Sequence, residues 1–505
     1  MHRSLPTAAP DALATRLCAF VLERFPFAIG IVREALAATG DGEARPDALA
    51  RELRGRLARI EVSELPETTP RVAASERMAQ AADALVEACD GFFAREAIAA
   101  SLTPDERREI LRGMILTRAV DNRLKQFFSS GEVAYRGAPF QGKGFRSLGQ
   151  EAIYAAGIRL RRGAAWKHPD GSWRGDVVGP IIRDLGVALA MRAEPPAVRM
   201  VLNAQMAKDA PPMHGKDLHI GDIEWGILPA AAPLTISTMT VAGMAMAFAR
   251  EGGGRVAVSF IGEGGSSLGE WHEAINLCAA KRLPAIFCIE NNQTALSTPV
   301  AEQSAARVFA DKAIGYGIAG LTIDGTDPEA IAAAFTWAAD RARDGAGPTL
   351  IELITLRMCG HAHHDDMLYL GKEPAVGWNY VPLPEHEPQT HRDAERSNAM
   401  AARHRVERDS PPAYVDGEAY RYWAAKDPIA AYASRLLGDG VIRPGELDEL
   451  TSAARAMVEA EAQAVIDAPW PAGVNAGAGV FAEEAPRTRV EVLDPERRLA
   501  ADPDP

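Results

Sequence analysis

One stretch of the sequence, Ile261 to Thr298, constrains the fold more than any other: IGEGGSSLGEWHEAINLCAAKRLPAIFCIENNQTALST. The apolar run from Arg255 to Ile261 predicts a buried strand, the next residues predict a helix, and Pro284 precedes a second apolar strand. In a right-handed strand–helix–strand unit both strands run the same way, so their carboxyl ends meet at one edge of the sheet. We therefore expect Glu263 and Asn292, which follow the two strands, to lie close together.

The donor atoms at this edge favour a hard cation. The carboxylate of Glu263, the amide carbonyl of Asn292 and a backbone carbonyl near Thr294 are oxygen donors, which suit Mg²⁺ or Ca²⁺ better than zinc. Mg²⁺ commonly completes its shell with phosphate oxygens and water. Three glycines allow close approach to the backbone at a helix start, where N–H groups are free: Gly262, Gly264 and Gly265. The pattern predicts a metal-bridged diphosphate; the simpler alternative is a tight turn with a capping glutamate.

Composition narrows the class of protein. The chain has 505 residues, of which 47% are hydrophobic and 24% charged, as in soluble globular proteins. The net charge of −13 argues against a nucleic-acid partner. None of the five cysteines forms a Cys-x-x-Cys pair, and no signal peptide is evident, so we expect a cytoplasmic location. Residues 226–249 carry no charge, but Pro229, Pro233 and several threonines argue against a membrane span.

The order of apolar strands and amphipathic helices predicts an α/β fold, with a mostly parallel sheet covered by helices on both faces. Five segments are expected along the chain: an N-terminal helical extension (1–100), the α/β domain (101–375), a Pro-rich surface excursion (376–418), a C-terminal helical segment (419–475) and a flexible tail (476–505). Thr103 with Glu106 predicts a helix start, and Gly131 its end.

The Gly-Glu-Gly, the spacer of under thirty residues and the Asn-Asn resemble the thiamine diphosphate motif. More narrowly, the chain from about Leu102 to Trp470 resembles the alpha subunit of the decarboxylating component of 2-oxo acid dehydrogenase complexes. The resemblance implies the thiamine diphosphate-binding fold, with thiamine diphosphate and Mg²⁺ as cofactors. It implies Glu263, Asn292 and Thr294 as metal ligands. The first hundred residues have no recognisable counterpart.

Further matches to that family imply other site residues. DVVGPIIRDLGVALAMR resembles the segment whose arginine, here Arg183, contacts the diphosphate, and AAAPLTIS places Leu234 under the bent cofactor. RMCGHAHHDDMLYL resembles the active-site loop, with His361 as the catalytic residue and diphosphate donor, and as a carrier of protons near working pH. RSLGQEAIYAAGIRL resembles the family's Gly-Gln-Glu-Ala helix. The remaining cofactor-binding residues implied by the resemblance are Gly262, Glu263, Gly264, Gly265, Asn292, Ala295 and Leu296.

The family's chemistry implies oxidative decarboxylation of a small-molecule 2-oxo acid, with transfer of the acyl group to a lipoyl-bearing acyltransferase. The glutamate that activates the cofactor lies on a separate beta subunit in that family, so an alpha2beta2 heterotetramer is expected. Gly-Glu-Gly resembles the branched-chain enzymes, whereas CIENN resembles the pyruvate type, which leaves the substrate open.

Four alternatives remain. An acetoin-cleaving or transketolase-like enzyme would share the cofactor anchor. A catalytically silent scaffold subunit is suggested by Ile182, which stands where the family usually has tyrosine before the diphosphate arginine. A phosphate-binding regulator would bind nucleotides, although no Walker lysine is present. For the run from His361 to Asp366 the alternatives are a solvated surface loop and a transition-metal site, although adjacent loop residues rarely close a coordination shell.

Overall fold

The computed structural model describes residues 10–39, 45–62, 65–67, 69–142, 144–372, 378–383 and 414–476. Most of the predicted surface excursion (376–418) and nearly all of the predicted tail (476–505) lie outside the described residues. Those two predictions therefore stay predictions, as do the boundaries of the other segments.

A five-stranded sheet forms the centre of the fold, and every neighbouring pair of its strands is parallel. Its order is β3-β4-β5-β9-β8, which requires crossover connections of the kind that the strand–helix–strand pattern predicted. The sheet strands are β3 (Val177–Gly179), β4 (Ala257–Gly262), β5 (Ala285–Asn291), β8 (Ala319–Asp324) and β9 (Thr349–Ile354). Two short antiparallel hairpins are formed by β1 (Ala134–Tyr135) with β2 (Ala138–Pro139), and by β6 (Thr294–Ala295) with β7 (Thr298–Pro299).

Helices surround the sheet along the described parts of the chain. Before the sheet they are α1 (Pro10–Arg24), α2 (Ile29–Ala38), α3 (Arg45–Leu57), α4 (Ala74–Ala100) and α5 (Pro104–Ser130). Among and after the strands they are α6 (Leu185–Met191), α7 (Pro195–Gln205), α8 (Ile236–Glu251), α9 (Gly269–Ala280), α10 (Val300–Gln303), α11 (Ala313–Tyr316), α12 (Pro328–Arg343) and α13 (Asp366–Leu370). The last three are α14 (Gly417–Ala425), α15 (Pro428–Gly438) and α16 (Glu446–Ile466).

Both faces of the sheet are covered, as predicted. Successive side chains of a strand point to opposite faces. Accordingly, Ile261 of β4 packs in one cluster with residues of α8 and α9, whereas Val258 and Phe260 pack in another with α12. The ring of Phe260 stacks on that of Phe335 in α12, with centroids 5.8 Å apart. The α/β fold with a parallel sheet is confirmed.

The observed ends of α5 and the start of α8 agree with the predictions from the sequence. Thr103 accepts a hydrogen bond from the backbone N–H of Glu106, whose carboxylate accepts one from the backbone N–H of Thr103, and Gly131 ends α5 in the left-handed region with φ 71°. The uncharged stretch at 226–249 forms α8 only from Ile236, after both prolines. Within the described residues, no helix combines the length and apolar character that crossing a bilayer requires.

Three elements differ in detail from their predictions. The connection between β4 and β5, predicted as a helix, contains a 12-residue α-helix preceded by a short 3-10 turn. The Gly-Gln-Glu-Ala segment forms a 3-10 helix, Glu151–Gly157, in which every residue is buried. Such a run exceeds the usual length of a 3-10 helix, so packing on all sides, rather than local preference, sets its pitch. The C-terminal helical segment consists of three helices.

Helix α4 of the N-terminal region packs against α12. A methyl group on Gly91 of α4 would lie 2.8 Å from Cζ2 of Trp337, which shows how closely the two helices approach. The guanidinium of Arg95 lies 5.0 Å from the centroid of that ring, and Arg341 donates to Glu87 at 2.6 Å. Helix α12 is consequently buried between the sheet and α4 over most of its length.

Candidate active site

The carboxyl ends of β4 and β5 bring the two predicted metal ligands to the same edge of the sheet. Gly262 pairs with Glu290 in the ladder, so Glu263 leaves β4 beside the end of β5. The backbone N–H of Asn292 lies close enough to the carboxyl group of Glu263 to stabilise its charged form. A methyl group on Gly264 would lie 2.5 Å from Cβ of Ala295, so the two loops are in close contact.

Glu263 is a buried acid, with only 1% of its surface exposed. Burial raises the pKa of its carboxyl group, and the amide of Gln303 and the charge of Arg357 oppose that rise. Nε2 of Gln303 donates to Oε1 of Glu263 at 3.3 Å, and no ion pair to Glu263 occurs among the described residues. Burying a carboxylate without a cation costs free energy, so this position is suited to a bound cation.

Asn292 is held by its amide nitrogen. Its Nδ2 donates to Oε1 of Gln150 at 2.9 Å, and Nε2 of Gln150 donates to Oε2 of Glu290 at 2.7 Å. The Oδ1 atom of Asn292 accepts one long hydrogen bond, from the backbone N–H of Thr294 at 3.5 Å. This oxygen therefore keeps most of its capacity to bind another group.

Two buried acids lie beneath this amide pair. Glu290 is 3% exposed and Asp184 is fully buried. Burial and the neighbouring Asp184 carboxyl group raise the pKa of Glu290 well above its usual range, and burial raises the pKa of Asp184 to about 6. The two carboxyl groups are therefore expected to share a proton near neutral pH, because both cannot ionise at low cost in this environment.

Arg183 and His361 meet at the other side of the site. Arg183 donates from Nη1 to the carbonyl oxygen of Arg146 at 2.5 Å and from Nη2 to that of His361 at 2.6 Å. The same Nη2 lies 3.1 Å from Nδ1 of His361. Burial and the charge of Arg357 lower the pKa of Arg183 to about 10. Burial and both arginines lower the pKa of His361 to about 3, which leaves the imidazole neutral at working pH.

Arg357 joins the loop after β5 to the loop after β9. It donates to the carbonyl oxygens of Leu296 at 2.8 Å and Cys359 at 2.9 Å, and to that of Thr294 at 3.3 Å. Its guanidinium also lies 4.6 Å from the ring centroid of Tyr369. Among the described residues neither Arg183 nor Arg357 forms an ion pair with a carboxylate, although both are buried. The site thus carries positive charge that an anion would neutralise.

The glycines and leucines shape the wall of the site. Gly264 and Gly265 have no room for a side chain, whereas a methyl group on Gly262 would meet nothing within 4 Å. Cδ1 of Leu234 lies 3.5 Å from the position of a methyl group on Gly265. Leu234 is 41% exposed and Leu296 is 57% exposed, the latter in the left-handed region with φ 55°. Two apolar side chains therefore border the polar cluster at the surface.

The loop that carries His361 is anchored to α5. Nζ of Lys125 donates to the carbonyl oxygen of His363 at 2.8 Å and to Oδ2 of Asp366 at 2.9 Å. Oδ1 of Asp366 accepts from the backbone N–H of Gly360 at 2.6 Å, and the ring of Phe128 packs on that of His363. Among the described residues, no group of three or more His, Cys, Asp or Glu side chains is arranged to hold a metal ion.

Most of the residues nominated from the sequence thus lie around one point, though their roles remain predictions. Two expectations need adjusting. The carbonyl oxygen of Thr294, expected to face a metal, already accepts from Arg357 at 3.3 Å, a long bond that leaves a lone pair free. His361 was expected to carry protons near working pH, but its surroundings disfavour the protonated ring.

Sequence reasoning missed several residues of the site. Gln150 and Gln303 hold the side chains of Asn292 and Glu263, and Arg357 bridges two loops. The signal for Arg357 was its position directly after the last apolar strand, four residues before His361. Gln150 lies in the segment that resembles the family's Gly-Gln-Glu-Ala helix, but that resemblance did not indicate its contact with Asn292. For Gln303 the sequence offered no signal, because its contact depends on how distant segments pack.

Comparisons with known proteins agree with this geometry. Residues 168–374 match the family model described as Dehydrogenase E1 component. The chain is 35% identical over 280 residues to the 2-oxoisovalerate dehydrogenase subunit alpha of Bacillus subtilis (54% of this chain, 78% of the relative). It is 32% identical over 293 residues to the 3-methyl-2-oxobutanoate dehydrogenase subunit alpha of Mycobacterium tuberculosis (56% and 70%). It is 33% identical over 290 residues to the Pyruvate dehydrogenase E1 component subunit alpha of Bacillus subtilis (57% and 70%).

Proposed function

This chain belongs to the dehydrogenase E1 component family, and from that premise we propose that it is the alpha subunit of a thiamine diphosphate-dependent 2-oxo acid dehydrogenase. Its reaction is the oxidative decarboxylation of a 2-oxo acid within a dehydrogenase complex. The observation that carries the proposal is the meeting of Glu263 and Asn292 at the carboxyl edge of the sheet, beside the buried Arg183, which contacts His361.

The residues present fit Mg²⁺ and a diphosphate. Glu263 offers a buried carboxylate without an ion-pair partner among the described residues, and Asn292 offers a nearly free amide oxygen. The carbonyl oxygen of Thr294 completes three oxygen donors, the set that Mg²⁺ accepts together with phosphate oxygens and water. Arg183 and Arg357 supply two buried positive charges that carbonyl contacts position but do not neutralise.

When bound, thiamine diphosphate supplies a nucleophilic carbon and accepts electrons as carbon dioxide leaves. The side chains of this chain hold and orient it. Arg183 and neutral His361 donate to the diphosphate, and Gly264 and Gly265 let the backbone approach it. Leu234, which lies beside Gly265, would support the cofactor, and Ala295 and Leu296 on the loop after β5 would flank it. His361 is held beside Arg183, where it would face the bound cofactor.

The divided active site implies partners. We propose that a beta subunit supplies the glutamate that activates the cofactor, in an alpha2beta2 heterotetramer, and that the acyl group passes to a lipoyl-bearing acyltransferase. The relatives carry branched-chain and pyruvate names, so the substrate is proposed to be one of these 2-oxo acids. We also propose a cytoplasmic location for the protein.

The test uses the complex isolated through an affinity tag on this chain. Calorimetry should show binding of thiamine diphosphate only when Mg²⁺ is present, and Glu263→Gln should weaken that binding by more than about 100-fold, the upper range for changes outside the first coordination sphere. Glu251→Gln, at a carboxylate that is 56% exposed on α8, is the matched control and should bind normally.

Activity on several 2-oxo acids and on acetoin then separates the remaining alternatives. Electron transfer from a 2-oxo acid supports the proposal, and turnover of acetoin alone would assign an acetoin-cleaving enzyme. A scaffold subunit would bind no cofactor even with its partner, and Glu263→Gln would change nothing.

A further inference from the structure

Three buried polar side chains form a row that begins at the proposed metal ligand Asn292. Glu290, Gln150 and Asn292 are 3%, 1% and 5% exposed. Their contacts are short: 2.7 Å from Nε2 of Gln150 to Oε2 of Glu290, and 2.9 Å from Nδ2 of Asn292 to Oε1 of Gln150. Gln150 is contributed by a loop 142 positions before Asn292 in the sequence, so only the fold brings them together.

The direction of these hydrogen bonds matters because an amide has two ends of similar shape and opposite hydrogen-bonding character. Its oxygen accepts hydrogen bonds or binds a cation, whereas its NH₂ group only donates. Asn292 is useful to Mg²⁺ only when Oδ1 faces the ion. With the amide reversed, two N–H groups would face the cation and repel it.

Gln150 fixes which end of Asn292 faces outward. The carboxyl oxygen of Glu290 accepts from Nε2 of Gln150, so Oε1 of Gln150 is turned toward Asn292. That oxygen can only accept, so the Asn292 amide turns Nδ2 inward and Oδ1 toward the site. At Oδ1 the single hydrogen bond is the long one from Thr294. The acid at one end and the cation at the other thus favour the same direction for both amides.

We propose that Gln150 is a positioning residue for the metal site: it sets the direction of the Asn292 amide and thereby the affinity for Mg²⁺. This inference rests on the proposed function. Gln150 does not touch the cofactor itself. It acts through Asn292, in the way that groups behind metal ligands orient them in other proteins.

The experiment measures the Mg²⁺ dissociation constant of the tagged complex by calorimetry, at saturating thiamine diphosphate. Gln150→Met keeps the volume of the side chain but removes the acceptor, so the constant should rise about 10- to 100-fold. Gln205→Met is the matched control, because Gln205 is also a buried glutamine (3% exposed) but lies at the end of α7, outside the row. The Mg²⁺ dissociation constant of the Gln205→Met complex should equal that of the unchanged complex.

A swap of the two outer groups distinguishes positioning from mere packing. In the double variant Gln150→Glu with Glu290→Gln, the new glutamine donates to the new glutamate, whose other oxygen still accepts from Nδ2 of Asn292. The direction of the row is preserved, and the Mg²⁺ constant should return to within about tenfold of the original value. If Gln150→Met does not assemble, the swapped variant alone decides.

The inference is overturned if Gln150→Met binds Mg²⁺ as tightly as the unchanged complex, or if the swapped variant assembles and binds Mg²⁺ more than about 100-fold more weakly. Failure of the proposed function gives a different result. In that case the unchanged complex itself shows no Mg²⁺-dependent binding of thiamine diphosphate.

Discussion

Arg183 donates to the carbonyl oxygen of His361 at 2.6 Å, and the same nitrogen lies 3.1 Å from Nδ1 of that imidazole. Arg183 is 6% exposed and forms no ion pair with a carboxylate among the described residues. Carbonyl contacts fix its position but leave its charge uncompensated. The pair is therefore preset to receive an anion, and its members respond differently to mutation and to pH.

Replacing Arg183 should weaken diphosphate binding. Hydrogen bonds to charged groups contribute about 1.5–3 kcal/mol, so Arg183→Met should raise the dissociation constant for thiamine diphosphate by about 10- to 150-fold. Arg183→Lys should recover only part of this loss, because an ammonium group cannot reproduce the planar, two-pronged donor. Calorimetry with the tagged complex in excess Mg²⁺ measures both. Equal affinity of the Met variant and the original would contradict the role of Arg183.

The low pKa of His361 should make the cofactor-free complex less stable in acid. The pKa is about 3 in the folded state, against about 6.5 in an unfolded chain. Below pH 6.5 the unfolded chain takes up a proton that the folded ring rejects, so stability is lost as the pH falls from about 6.5 toward 3. His361→Gln removes this loss, which would be about 1.4 kcal/mol between pH 7.5 and 5.5 for a fully buried ring and is smaller here, because the ring is partly exposed.

Urea unfolding at pH 7.5 and 5.5 measures the effect of His361. The drop in the unfolding midpoint between the two pH values should be smaller in His361→Gln than in the original. His168→Gln, at an exposed histidine before β3, serves as the control and should leave the drop unchanged. A drop of the same size in all three proteins would show that His361 titrates normally.

Gly264 should not tolerate a methyl group, whereas Gly243 on α8 should. In Gly264→Ala the new Cβ would lie 2.5 Å from Cβ of Ala295 and 3.0 Å from Oε1 of Gln303, so the two loops of the site would move apart. Overpacking of this kind costs about 1–3 kcal/mol. We expect weaker cofactor binding in Gly264→Ala and partial recovery in the double variant with Ala295→Gly.

Thermal unfolding with and without Mg²⁺ and thiamine diphosphate tests the prediction for Gly264. The increase in Tm caused by the cofactor should shrink in Gly264→Ala and return in the double variant. It should stay normal in Gly243→Ala, a substitution on α8 and outside the site, where no atom lies within 4 Å of the new group. A normal increase in Gly264→Ala would mean that the loops are not held against each other as described.

Breaking the ion pair between Lys125 and Asp366 should loosen the loop that carries His361. The lysine side chain is 5% exposed and the aspartate is fully buried. Removal of one partner from such a pair costs about 3–5 kcal/mol, because a buried charge is left without compensation. Lys125→Met should therefore lower the unfolding midpoint and make residues 358–370 more sensitive to proteolysis.

The exposed pair of Lys426 with Asp324, at 34% and 39% exposed, provides the control for Lys125. Lys426→Met should cost less than about 1 kcal/mol, because solvent screens the pair. If Lys125→Met is no more destabilising than Lys426→Met, the loop is held mainly by other contacts.

The sheet and the convergence of Glu263 with Asn292 were predictable because both depend on local order. Apolar runs mark the strands, and the ligands follow those strands directly, so knowing that the strands are parallel is enough to bring them together. The cap of α5 was predictable for the same reason, since its signals lie within a few residues of each other.

The surroundings of these ligands were not predictable, because they come from distant segments. Gln150 reaches Asn292 across 142 positions, and Arg183 reaches His361 across 178. The pitch of Glu151–Gly157 likewise depends on packing from several sides. The shift in the pKa of His361 required burial and two neighbouring charges, neither of which appears in the order of residues.

The contact between α4 and α12 has a practical consequence for anyone who shortens the protein. Trp337 on α12 is covered by α4, with Gly91 packed directly against the indole. A chain begun after α4 would present this apolar helix to water and would be prone to aggregate. Poor yield or low turnover in such a truncated protein would then reflect insolubility, and would reveal nothing about what the first hundred residues contribute to catalysis.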